Sequence, residues 1–219
     1  MTRAIPRLFL VTSSEVVEEP GFLERACAAL AAVGPGCALQ LRAHTLASGA
    51  FWELARELKQ VAVEAGSSLW VNDRVDVATV VRADGVQLGS RSVATEIARQ
   101  TLGGTCLIGR SVHAAGEALS VNADVAVLGS IYPTKSHPGR EPLGLEELGR
   151  ATTGRRPIVA IGGITPQKVG EVMKHGAWGV AVLSGVWGAA EPAASVRDYV
   201  SALSAAVPGS AMGRSHTHE

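Results

Sequence analysis

His113 closes the string Gly109-Arg110-Ser111-Val112-His113, directly after the apolar run Cys106-Leu107-Ile108-Gly109. Imidazole is the one side chain whose ordinary pKa lets it both take and return a proton near neutrality. If the run is a barrel strand, His113 lies in the loop at its carboxyl end, where barrel enzymes carry their chemistry. By itself the same residue equally suits the start of a helix. Two later segments, Ile161-Gly162-Gly163-Ile164-Thr165-Pro166 and Leu183-Ser184-Gly185-Val186, each follow an apolar run and suggest anion binding. Lacking Cβ atoms, Gly162, Gly163 and Gly185 let backbone N–H groups approach an anion closely, with Ser184 in the same loop. Thr165 before Pro166 reads as a helix N-cap followed by a first helical residue. Barrels bind phosphate at the loops after strands seven and eight, so these two loops are expected to cradle one. The sequence has no Gly-x-x-x-x-Gly-Lys-Ser/Thr segment, which argues against a nucleoside triphosphatase.

Further polar groups fall at the ends of apolar runs. Arg42, in Gln40-Leu41-Arg42, offers a guanidinium that can grip a carboxylate or phosphate through two parallel hydrogen bonds, or form a barrel-end ion pair. Asn72 and Asp73 follow another run; for Asp73 helix capping is the commoner role. Gln87, in Val86-Gln87-Leu88, either satisfies backbone or touches ligand, and the residues alone do not separate these. Lys135 stands in the long polar stretch 129–142, where a mobile cation can close over an anionic ligand. His44 and His175 are weaker candidates, the latter at a helix end where the dipole favours positive charge.

The elements that must position these groups are legible as a repeat. Apolar runs rich in Val, Ile and Leu recur at Leu8 to Val11, Ala38 to Arg42, Ser68 to Val71, Gly85 to Leu88, Cys106 to Gly109, Val125 to Leu128, Pro157 to Ile161 and Gly179 to Leu183. Continuous rather than alternating hydrophobicity means that both faces are covered, the mark of a parallel sheet wrapped by helices. Segments with helical spacing separate the runs: Phe22 to Val33, Leu46 to Ala65, Asp73 to Arg82, Val93 to Leu102, Ala114 to Val121, Leu143 to Arg150, Pro166 to His175 and Ala193 to Ala206. Eight such units predict an α/β protein with a single (β/α)8 TIM barrel over residues 1–207, followed by a loose tail at 208–219 that holds His216 and His218. An open dinucleotide-binding sheet is disfavoured because no Gly-x-Gly-x-x-Gly turn follows the first run.

Twenty basic residues balance twenty acidic ones, so no global field selects nucleic acid, and the expected partner is a small molecule. No run reaches the length of a membrane span. Cys27, Cys37 and Cys106 lack metal-ligand spacing and read as reduced core residues of a cytoplasmic protein. Apolar surface on barrel helices makes a homodimer the oligomer to consider, although the sequence does not fix the assembly.

Taken together, Gln40-Leu41-Arg42, Asn72-Asp73-Arg74-Val75-Asp76, Ala83-Asp84-Gly85-Val86-Gln87-Leu88-Gly89, Gly129-Ser130-Ile131-Tyr132-Pro133-Thr134-Lys135 and Ala160-Ile161-Gly162-Gly163-Ile164 resemble the thiamine-phosphate synthase superfamily, from about residue 8 to residue 187. The resemblance implies a single-domain barrel acting on a phosphorylated thiazole. The superfamily holds two enzymes. The synthase joins a pyrimidine diphosphate to a thiazole phosphate with magnesium held by two aspartates, one matching Asp73 and one in a Gly-Gln-x-Asp stretch. Here that stretch is Gly89-Ser90-Arg91-Ser92, and His44 stands where the synthase has a lysine. A dication on one carboxylate is weakly held, and diphosphate departure needs its charge offset.

These departures favour the other enzyme, the thiazole tautomerase (TenI-like) branch, whose acid/base matches His113 and whose proton shift needs no metal. The expectation is therefore an isomerase without a cofactor. In it His113 moves the proton, amides around Gly162, Gly163, Ser184 and Gly185 hold the phosphate, Arg42 or Lys135 meets the substrate carboxylate, and Asn72 and Gln87 complete the binding set. The alternatives are a thiamine-phosphate synthase, which would bring magnesium, and a non-catalytic phosphate-binding regulatory protein.

Overall fold

Parallel strands cannot be joined by tight turns, so each strand–helix repeat of this sequence must carry the chain back along the outside of the sheet. In the computed structural model, which describes residues 4–134, 139 and 141–206, eight parallel strands close into one barrel in sequence order, β8 pairing with β1. The strands are β1 (Leu8–Val11), β2 (Cys37–Leu41), β3 (Ser68–Asn72), β4 (Gly85–Leu88), β5 (Leu107–Val112), β6 (Val125–Gly129), β7 (Ile158–Ile161) and β8 (Gly179–Val182). This is the expected (β/α)8 fold. Among the described residues no helix is long and apolar enough to cross a membrane. The 208–219 tail lies outside the described residues.

The outer layer holds the eight expected helices and two short additions. They are α1 (Ser14–Glu18), α2 (Phe22–Ala31), α3 (Ser48–Glu64), α4 (Val75–Val80), α5 (Thr95–Leu102), α6 (Ala115–Ser120), α7 (Gly144–Ala151), α8 (Pro166–Lys174), α9 (Ser184–Trp187) and α10 (Pro192–Ala206). The additions are α1, capped by the Ser13 side chain, and α9, which occupies the glycine-bearing loop after β8. The largest boundary difference is β5. It runs to Val112 because Arg110, Ser111 and Val112 pair with Ala126, Val127 and Leu128 of β6, although polar side chains end its apolar run at Gly109.

Alternation along each strand sends one set of side chains outward to the helices and the other into the barrel. Phe9, Val11, Ala38, Trp70, Val125, Val127, Val159 and Ala181 form the inner core, separate from the larger core under the helices. Trp70 dominates it: the ring is fully buried and meets Phe9 edge-on, centroids 5.0 Å apart. The two strands that follow make room. A Cβ at Gly85 would run into the Trp70 ring, and one at Gly109 into Gln87 and the same ring.

At the amino-terminal end two aspartates act alike. Asp84, just before β4, accepts from Leu69 N of β3 (2.8 Å) and pairs with Lys59 of α3 (2.6 Å). Asp124, just before β6, accepts from Ile108 N of β5 (2.7 Å) and pairs with Arg99 of α5. Each fastens a helix to the strand pair beneath it.

Because the Trp70 ring is walled by Phe9 and has nowhere to retreat, Gly85→Ala is expected to cost about 1–3 kcal/mol through overpacking. Urea denaturation measures this; unchanged stability would mean that the interior is looser than described.

Candidate active site

Four strands in a row bring polar side chains of inward parity to the carboxyl end of the barrel. Gln40 of β2 donates from Nε2 to Asn72 Oδ1 (3.0 Å), and Asn72 Nδ2 donates to Asp73 Oδ2 (2.6 Å). Gln87 of β4 donates from Nε2 to Ser111 Oγ of β5 (2.9 Å), while its Oε1 is buried without a hydrogen-bond partner. Gln87 lies one layer below Ser111, level with Gly109 in the ladder, and is 2% exposed. Gln40 and Ser111 escape a search for isolated polar residues at strand ends. The signal for them is parity: each sits two residues before a singled-out group, Arg42 and His113 respectively.

Asp73 has φ 61°, the left-handed region that aspartate tolerates better than most residues. It does not cap α4, which begins at Val75 with Arg74 in the N-cap position. Its Oδ1 instead accepts from Ser92 Oγ and from Gly89 N (3.4 Å). The hydroxyl that stands where the resemblance places a second carboxylate is thus bonded to the first.

Arg42 leaves the end of β2 with its backbone locked to Thr12, whose Oγ1 accepts from Arg42 N (2.9 Å) and donates to Arg42 O (3.0 Å). Its guanidinium makes no hydrogen bond or ion pair among the described residues, so the alternative reading as a barrel-end ion pair has no partner there. His44 is exposed, and among the described residues it is held through its backbone N–H, on Ser14 Oγ (2.8 Å).

His113 directly follows β5. Its Nδ1 lies 2.9 Å from Gly129 O at the end of β6. A carbonyl only accepts, so Nδ1 carries the proton and the neutral ring keeps Nε2 as an acceptor. The His113 backbone N–H donates to Glu117 of α6 (2.8 Å). The ring is exposed at the rim rather than enclosed.

On the opposite side of the rim lies the glycine pair. Gly162 (φ 102°) and Gly163 (φ 63°) both need left-handed backbone, and a Cβ on either would strike the β6–α7 connection at Ser130 or at Tyr132 and Pro133. Thr165 occupies the N-cap position of α8 with Pro166 at N1, but its side chain makes no capping bond, contrary to expectation. Ser184 and Gly185 open α9, where N–H groups have no intrahelical acceptor. Lys135 lies outside the described residues. His175 ends α8 with its Nδ1 on Glu171 O (2.9 Å), away from this rim.

A separate cavity of about 300 Å³ lies on the outer wall between α5 and the turn before β6, lined by Thr95, Glu96, Arg99, Asn122, Ala123 and Asp124. Its polar groups answer one another, Arg99 paired with Asp124 and Asn122 Nδ2 donating to Glu96, which marks it as structural.

The thiamine monophosphate synthase family profile matches residues 8–186. The chain belongs to this family. A thiamine-phosphate synthase of Natronomonas pharaonis is 37% identical over 177 residues, 78% of this chain and 83% of that protein. One from Laribacter hongkongensis is 37% identical over 195 residues, 87% of this chain and 92% of its own. The solved structure titled thiamine phosphate pyrophosphorylase from Pyrococcus furiosus superposes with a TM-score of 0.81 at 32% identity, covering 92% of this chain and 97% of that one. These findings overturn the isomerase expectation: the relatives are named as synthases, and neither the thiazole tautomerase reading nor its proton-shuttle role for His113 is retained.

The family implies magnesium, and the residues present do not fit it. Asp73 offers one carboxylate, both of whose oxygens already accept hydrogen bonds, and among the described residues no group of three His, Cys, Asp or Glu side chains converges on one point. Calorimetry is expected to show no magnesium binding to the unaltered, substrate-free chain and measurable binding to Ser92→Asp, which sets a second carboxylate beside Asp73. Equal binding by both would show that the Ser92 hydroxyl is no obstacle.

Proposed function

We propose that this chain is a thiamine-phosphate synthase, a transferase that joins a pyrimidine carried as its diphosphate to a thiazole phosphate. The observation that carries this reading is the division of the rim in two. Side-chain amides and a hydroxyl from β2 to β5 stand on one side, and backbone N–H groups of the β7 and β8 loops stand on the other. A proton shift within one substrate needs one anchored ligand, whereas a transferase must hold two molecules and align them, and such alignment supplies much of its rate. Relatives named as synthases support the same choice.

In this reading the donors and acceptors of Gln40, Asn72 and Ser111 meet the pyrimidine, with Gln87 fixing Ser111 from below. His113 Nε2, kept as an acceptor by the bond at Nδ1, faces the same ligand. The amides near Gly162, Gly163, Ser184 and Gly185 hold the thiazole phosphate. The bond from the pyrimidine-bearing carbon to the diphosphate oxygen breaks, its electron pair leaves with the diphosphate, and the thiazole ring forms the new bond to that carbon. Negative charge gathers on the leaving oxygens, and in this reading the Arg42 guanidinium, which has no hydrogen-bond partner among the described residues, meets it, with Lys135 as a second cation.

Incubation with both substrates in magnesium-containing buffer is expected to release diphosphate in step with thiamine phosphate. No release at saturating concentrations would overturn the assignment. Arg42→Met removes a charged hydrogen-bond donor worth about 1.5–3 kcal/mol, so kcat/KM is expected to fall roughly 10- to 100-fold. Equal activity would place the diphosphate elsewhere.

A further inference from the structure

Five consecutive carbonyls, from Ile161 at the end of β7 to Thr165 before α8, are each held by a hydrogen-bond donor. Ile131 N donates to Ile161 O (2.9 Å) and Tyr132 N to Gly162 O (3.0 Å). Lys168 Nζ donates to Gly163 O (3.1 Å), Tyr199 Oη to Ile164 O (2.8 Å), and Lys168 N to Thr165 O (2.9 Å). A trans peptide points its C=O and the following N–H in opposite directions. With the carbonyls drawn back, the N–H groups of Gly162, Gly163, Ile164 and Thr165 are turned away from those donors. Two of the five donors are side chains, and both come from helices outside the barrel.

Both side chains are built into place. The Lys168 ammonium sits 4.1 Å above the centre of the Tyr132 ring, and Tyr132 Oη donates to Glu171 of the same helix, α8 (3.0 Å). Desolvation, seconded by Glu171, pushes the Tyr132 phenol up to about 12, so it stays a donor. Tyr199 of α10 is fully buried, and burial raises its phenol to about 12 as well. Its hydroxyl occupies the space that a Cβ on Gly185 would need, and the neighbouring Ser195 Oγ donates to Gly185 O (2.6 Å). One phenol therefore touches both glycine-bearing loops.

We propose that Lys168 and Tyr199 are positioning residues for phosphate: by holding the Gly163 and Ile164 carbonyls outward, they keep the amides of the β7 loop aimed at the anion before it arrives. The proposal rests on the reading of the two glycine-bearing loops as a phosphate cradle. It assigns a function to α8 and α10 side chains that do not themselves meet the substrate. A cradle set in advance spares the ligand the cost of turning those peptides.

The test measures binding directly, by calorimetry with thiazole phosphate and, in parallel, with the pyrimidine diphosphate. Lys168→Met and Tyr199→Phe each remove one hydrogen bond while keeping most of the packing. Each is expected to weaken thiazole phosphate binding about three- to tenfold and to leave the pyrimidine diphosphate unmoved. Lys168→Arg, which can still reach Gly163 O, is expected to restore affinity. A merely structural role would weaken both ligands together or lower the melting temperature alone, and either result overturns the proposal. So does an unchanged thiazole phosphate affinity in Lys168→Met, whatever the fate of Tyr199→Phe. If the unaltered chain binds no thiazole phosphate, the cradle itself falls. If it binds both ligands and the variants behave as expected without turnover, the synthase assignment fails and the positioning roles stand.

Discussion

A closed ring of eight parallel strands admits side chains of only one parity to its interior, and every feature of the rim follows from how those positions are spent. Deep in the barrel they go to Phe9, Trp70, Val125, Val127 and Val159. Trp70 is too large for its layer unless its neighbours shrink, so Gly85 and Gly109 follow on the next two strands. Toward the carboxyl end the same parity passes to Gln40, Asn72, Gln87 and Ser111, which hydrogen-bond in two pairs. The apolar plug closes the floor of the barrel, and the polar groups lie toward its carboxyl end, Gln40 and Gln87 buried and Asn72 and Ser111 part-buried.

The strands are readable in the sequence because both their faces are covered, which leaves long unbroken apolar runs. That same criterion fails where a strand enters the site. β5 continues through Arg110, Ser111 and Val112, and its polar residues make the end of the strand look like a loop. The two short helices escape for another reason: five and four residues are too few for a periodic pattern to emerge. The glycine pair is legible because positive φ at two consecutive residues has few other solutions. Its supporting side chains are not, since Lys168 and Tyr199 look like ordinary helical residues until their partners are known.

For function, one substitution in the chain misleads. Ser92 in place of a carboxylate suggests chemistry without a metal, and an intact His113 matches a proton carrier, so the resemblance points to its isomerase branch. The relatives named as synthases weigh against that inference. A group that is present shows only what it can do. His113, with Nδ1 fixed on Gly129 O, offers one acceptor nitrogen, which serves recognition of a ligand as well as proton transfer.

α10 joins parts of the molecule that lie far apart in the sequence. α10 packs on both α8 and α2, so it spans the seam where the two ends of the ring meet. Its Tyr199 also reaches Ile164 and borders Gly185. A single helix is thereby fastened to the outer wall of the barrel and to two loops of its rim, so a disturbance at the closing seam is felt at both glycine-bearing turns.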